Sequence, residues 1–141
     1  MLLKGVLFFA LCALFQIGSA AIREAQSVRV QGSLTCEGRP YPGAKVKLYD
    51  HDTFTLDDKM AETETDSRGY FDISGTENEL TRLNAKFNIY HRCRKTVPIC
   101  YYKASFAIPY DYVTSGQQAS KIFDAGTIEL SILKKDRDCI N

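Results

Sequence analysis

The residue type with the most definite chemistry in this sequence is cysteine, at positions 12, 36, 93, 100 and 139. Cys12 lies in an apolar N-terminal run, which leaves an even set: Cys36, Cys93, Cys100 and Cys139. An even set behind a secretory leader predicts two disulfides. Four cysteines allow three connectivities, and spacing alone does not choose among them. The favoured expectation pairs Cys93 with Cys100, whose separation with Pro98 suits a loop between adjacent strands, and Cys36 with Cys139, tying the first strand to the tail. The longer ring would constrain the unfolded chain by about 4 to 5 kcal/mol in the chain-entropy treatment. A zinc site with His51 or His91 would call for C-x-x-C spacing, which is missing.

Two charged clusters also carry chemistry. Asp50, Asp52, Asp57, Asp58 and Asp66 concentrate carboxylate oxygens, the donors calcium prefers, but without the D-x-D-x-D-G spacing and closing glutamate of an EF-hand. The expectation is a solvated acidic loop, with calcium at Asp50, Asp52, Asp57 and Asp58 as the alternative and no other cofactor. Arg92, Arg94 and Lys95, followed by Tyr101, Tyr102 and Lys103, form the opposite cluster. Arginine forks onto phosphate and tyrosine supplies amphipathic contact area, so this set suits a phospholipid headgroup or a protein receptor. The sequence contains no G-x-S-x-G, no H-E-x-x-H and no phosphate-cradling glycine loop. Of the two histidines, His91 alternates with Phe87 and Ile89 and is read as a packed side chain. The expectation is a binding protein without catalytic residues.

These clusters must be held by a small fold. The chain has 141 residues, 45% hydrophobic and 25% charged, with 18 Lys and Arg against 17 Asp and Glu. That matches one globular domain and lacks the concentrated positive charge of a nucleic-acid binder. Residues 1–20 read as a signal peptide: Lys4, an apolar run from Gly5 to Phe15 too short to span a bilayer, and small residues Gly18 and Ala20 before the cleavage point. Cleavage after Ala20, with Ala21 as the alternative, leaves a secreted domain over 21–141 with no transmembrane segment.

Period-two alternation marks the strands. Val28, Val30, Gly32 and Leu34 share one face, as do Ala44, Val46 and Leu48. Ala61–Thr65 suits a short edge strand, and Asp66-Ser67-Arg68-Gly69 a type I turn making a hairpin with Tyr70–Ser74. Thr76 to Asn84 is the best place for a helical turn, with Glu79 at the capping-box position. Phe87, Ile89 and His91, then Tyr102, Ala104, Phe106 and Ile108, give two further strands; Ile128, Leu130 and Ile132 share a face in the last. About seven or eight strands with little helix argue for an all-β antiparallel sandwich.

The order of strings resembles the nematode transthyretin-like family of secreted proteins. It runs through V-R-V-Q-G-S-L-T-C (Val28–Cys36), G-R-P-Y-P-G-A-K-V-K-L-Y-D-H-D (Gly38–Asp52) and T-D-S-R-G-Y-F-D-I-S-G (Thr65–Gly75). I-Y-H-R-C (Ile89–Cys93), I-P-Y-D-Y-V (Ile108–Val113) and F-D-A-G-T-I-E-L (Phe123–Leu130) continue it. The resemblance implies a Greek-key sandwich, secretion, and a role as an extracellular bridge: recognising phosphatidylserine on dying cells for a phagocyte receptor, or protecting neurons from oxidative stress. The related 5-hydroxyisourate hydrolases need channel-facing His and Arg and a C-terminal Y-R-G-S. Here the first strand has no His and the chain ends Asp138-Cys139-Ile140-Asn141. Transthyretin itself implies a tetramer channel for a hormone, which a bridge at Cys139 would alter; a carrier of a small apolar ligand is the rival reading.

Overall fold

The computed structural model describes residues 23–140; the signal-peptide reading falls outside the described residues. Ten strands follow in order: β1 (Glu24–Cys36), β2 (Arg39–Pro40), β3 (Lys45–Asp50), β4 (Asp58–Glu64), β5 (Tyr70–Glu79), β6 (Ala85–His91), β7 (Tyr101–Ala107), β8 (Thr114–Ser115), β9 (Phe123–Glu129) and β10 (Asp136–Asp138). Short 3-10 turns occupy Tyr110–Tyr112 and Leu130–Ile132. One sheet is built around β1, which takes β5 on one side and β9 on the other, with β2 and β8 at its ends. The second runs β10-β7-β6-β3-β4. Pairing is antiparallel throughout except for β9, which runs parallel to β1 because the chain, already antiparallel to β1 at β8 in the same sheet, reverses over 116–122 before reaching it.

Alternation fixes which residues meet between the sheets. Val28, Val30 and Leu34 from β1, Phe71 and Ile73 from β5, Val46 and Leu48 from β3, and Phe87 and Ile89 from β6 are all buried. Phe87 is the hinge of the aromatic packing, 5.9 Å from Phe71 across the sandwich and 5.1 Å from Phe106 beside it. Each such side chain contributes about 1.5 to 3 kcal/mol by leaving water. Asn88 and Tyr90 on the outer face of β6 are buried as well, because long neighbours lie flat over the sheet. Lys47 Nζ sits 5.0 Å above the Tyr90 ring, and Asn88 bridges Ser105 (2.6 Å) and the Tyr90 hydroxyl (3.3 Å).

The Asp66 turn is present: the Asp66 carboxylate accepts from the amides of Arg68 (2.9 Å) and Tyr70 (3.0 Å). Gly69 has φ +75°, and a Cβ there would meet the Leu34 carbonyl oxygen at 2.3 Å, so only glycine fits. The expected hairpin is corrected, however, since β4 lies in one sheet and β5 in the other. The turn is a crossover.

Three further expectations are corrected. Thr76 to Asn84 forms no helical turn: β5 continues to Glu79 because Glu24–Ser27 of β1 offers it ladder partners, and the Thr76 hydroxyl bonds the Gln117 carbonyl (3.0 Å). Ile132 leaves the core and is 81% exposed, because Glu129 ends β9 by accepting from Ser131 N (2.8 Å) and starting a 3-10 turn. The disulfides are Cys36–Cys93 and Cys100–Cys139. The ends of β1 and β6 lie together across the sandwich, and β10 pairs with the start of β7 through Asp138 and Tyr101, which sets Cys139 against Cys100. The Cys93 to Cys100 loop is therefore anchored at both ends to other parts of the chain instead of being closed on itself.

Candidate functional site

The basic and aromatic residues converge at the end of the sandwich where β6 leaves and β7 enters. Strand alternation sends Tyr101 and Tyr102 to opposite faces of β7. Cations gather on both. The Arg92 guanidinium lies 4.1 Å from the Tyr101 ring centroid and donates from Nε to the Cys100 carbonyl (3.1 Å); Lys45 Nζ approaches the same ring at 4.9 Å. On the other side, Lys95 and Lys135 sit 5.5 and 5.9 Å from the Tyr102 ring. These distances fall within cation–π range. Desolvation, then repulsion from Arg137 and Arg92, holds the Lys95 ammonium below the ordinary lysine value.

Two predicted members are diverted. Arg94, with φ +58°, ion-pairs with Glu37 (3.1 Å), and Lys103 lies 3.7 Å from Asp138. Lys45, Lys135 and Arg137 join the cluster although sequence reasoning missed them. They arrive from β3, from the approach to β10 and from β10 itself, where Arg137 pairs with Tyr102. No local spacing signals that meeting.

His91 is buried as expected, between the rings of Tyr41 (6.2 Å) and Tyr102 (5.8 Å). Burial pushes its pKa down to about 4, and its Nδ1 accepts from the Cys93 amide (3.1 Å). The neutral ring therefore carries its proton on Nε2, which has no hydrogen-bond partner among the described residues.

The acidic residues do not converge on one point. Asp57 holds Lys86 and His51 (2.8 Å), and these bonds keep its carboxyl low against the opposing effect of burial. Asp58 stands at the edge strand and Asp66 serves its turn. Asp52 offers its amide to Asp57 (3.2 Å). Asp50 is 4% exposed; burial first, then a hydrogen bond with Glu79, raises its pKa to about 6. Among the described residues no three His, Cys, Asp or Glu side chains group to hold a metal ion. Two surface clefts are lined by polar side chains: Ser27, Arg29, Asp72 and Thr76 in one, Asp50, Glu79, Arg82 and Asn84 in the other.

The sequence profile of the transthyretin-like family matches residues 31–109, from β1 through the entry to the Tyr110 turn. The chain belongs to the transthyretin-like family. Transthyretin-like protein 5 of Caenorhabditis elegans is 42% identical over 125 residues, spanning 86% of this chain and 90% of its own length. Transthyretin-like protein 33 of the same organism is 41% identical, with 94% of this chain and 92% of its own covered. Transthyretin-like protein 2 is 34% identical, covering 94% and 98%. Among solved structures, a 9R-lipoxygenase from Cyanothece aligns with 74% of this chain and 16% of its own at 15% identity and a TM-score of 0.41, too loose a likeness to argue from. Family membership supports an extracellular binding role in general terms, and the two disulfides fit that compartment. No helix among the described residues is long and apolar enough to cross a membrane.

Proposed function

We propose that this protein acts outside the cell, without catalysis, as a recognition molecule whose basic and tyrosine-rich end binds an anionic phospholipid surface, phosphatidylserine foremost, and presents it to a cell-surface receptor. Such a bridge would serve the clearance of dying cells or neuronal protection from oxidative stress. The observation that carries the reading is the gathering of Arg92, Lys95, Lys45, Lys135 and Arg137 around Tyr101 and Tyr102. Each basic residue near an anionic bilayer adds about 1 kcal/mol of attraction, so a handful suffices for reversible binding.

Co-sedimentation of the oxidised protein with phosphatidylserine or phosphatidylcholine vesicles, each with calcium and with chelator, tests it. Selective pelleting with phosphatidylserine is expected, lost on charge reversal at Arg92, Lys95 and Lys135, whereas reversal at Arg94, already paired with Glu37, should matter less. Loss with chelator would move the contact to the acidic loop at the other end of the sandwich and overturn the assignment. Binding left intact by charge reversal would overturn the assignment, and a stoichiometric lipid or sterol released from the denatured protein would favour carriage of an apolar ligand instead.

A further inference from the structure

The loop between β6 and β7 carries an apolar tip that the basic cluster does not explain. Val97 is 50% exposed and Ile99 64%, with Thr96 and Pro98 exposed between and beside them. Ile140, 96% exposed, follows Cys139 as Ile99 precedes Cys100, so two isoleucines flank one disulfide bridge. Both feet of the loop are fixed: Cys93 to Cys36 of β1, and Cys100 to Cys139 beside β10. The Lys95 ammonium also donates to the Val97 carbonyl (2.7 Å), holding the tip against the cations. An apolar projection held this way loses little conformational freedom on binding.

Exposed aliphatics ringed by Lys and Arg are the arrangement of a segment that lies in a bilayer interface, apolar atoms in the acyl boundary and cations at the phosphates. Among the described residues Arg92, Lys95, Lys135 and Arg137 make no salt bridge, so their charge is available to headgroups. Exposure alone does not make the case, because Phe54 and Leu56 at the opposite end of the sandwich are exposed too. Phe54, however, lines a cleft in which Asp50, Asp52 and Glu79 outnumber Arg82, and that excess of carboxyl groups would be repelled by an anionic surface. Charge separates the two ends.

We infer that the protein docks on anionic membranes by wedging Val97, Ile99 and Ile140 into the acyl boundary, with the surrounding cations at headgroup level. The inference rests on the phospholipid reading above and adds that contact is not electrostatic alone.

The protein contains no tryptophan, so Ile99→Trp and Phe54→Trp each place a single tryptophan that can be excited selectively over the tyrosines. Both are added to mixed phosphatidylserine–phosphatidylcholine vesicles, with and without brominated acyl chains, and bound protein is measured by co-sedimentation in the same samples. The Ile99→Trp emission is expected to move to the blue and be quenched by bromine, while Phe54→Trp stays water-like. Ile99→Ser should weaken partitioning about tenfold, the loss of roughly half a buried side chain's transfer free energy. Pelleting without a blue shift or quenching would overturn the wedge and leave headgroup recognition standing. Quenching at position 54 would put another surface on the bilayer and overturn it as well. No pelleting of the wild type would remove both the wedge and the phospholipid reading.

Discussion

Replacing Asp50 by asparagine should make the protein more stable at neutral pH and leave it unchanged in acid. Asp50 closes β3, buried, with its Oδ1 accepting from the Asn84 amide (3.2 Å) and its carboxyl against that of Glu79 at the end of β5. Burial, the hydrogen bond with Glu79 and the nearby negative charges of Glu79 and Asp52 raise its pKa from 3.8 to about 6. A carboxyl raised in the folded state binds its proton more tightly there than in the unfolded chain. Its contribution is therefore fully present below about pH 4 and lost as pH rises through about 6. Two pKa units correspond to about 3 kcal/mol. Asparagine keeps the acceptor for Asn84 and offers Glu79 a donor at every pH, so Asp50→Asn should exceed the wild type by about 3 kcal/mol near pH 7.5, and the gap should close near pH 3.5. Urea unfolding of the oxidised proteins, followed by circular dichroism across that range, measures the gap directly. Because every other titrating group is common to the two chains, their difference reports the Asp50–Glu79 pair. A gap that stays constant with pH, or a variant less stable at neutral pH, would refute protonation of the Asp50 carboxyl beside Glu79 as the origin.

His91 gives a slope of opposite sign. Burial lowers its pKa from 6.5 to about 4, so the unfolded chain takes a proton that the folded one refuses, and about 3 kcal/mol should be lost as pH falls from about 6.5 to 4. His91→Phe should abolish that loss in the same unfolding series, whatever it costs at neutral pH by orphaning the Cys93 amide. For the covalent framework, proteolysis without reductant should yield peptides linked Cys36 to Cys93 and Cys100 to Cys139 by mass spectrometry. The rings span separations of 57 and 39 residues and do not overlap. Removing the first by a Cys36→Ala, Cys93→Ala double substitution should cost about 4 kcal/mol.

Legibility in the sequence followed the range of the interaction. Strand alternation was readable wherever one face is buried, as at Val28, Val30 and Leu34 or at Phe87 and Ile89, because side-chain direction is a local property of the backbone. The Asp66 turn was readable for the same reason. The Thr76 segment was misread because a capping-box pattern is a weak preference, and ten ladder pairs between β1 and β5 outweigh it. Burial of Lys47, Asn88 and Tyr90 on an outer face had no local signal at all, since it depends on side chains laid across three neighbouring strands.

The candidate site divides along the same line. By itself the sequence determined an all-β chain, an even set of four cysteines in 21–141, and the local run from Arg92 to Lys103 that brings cations beside tyrosines. Tertiary structure decided which cysteines pair, that Glu37 and Asp138 draw off Arg94 and Lys103, and that Lys45, Lys135 and Arg137 replace them. The reason is physical. Helix, strand and turn preferences act over a few residues, whereas a disulfide or a cation over a ring requires two chain segments brought within a few ångströms, and only the packing of the two sheets sets which segments those are.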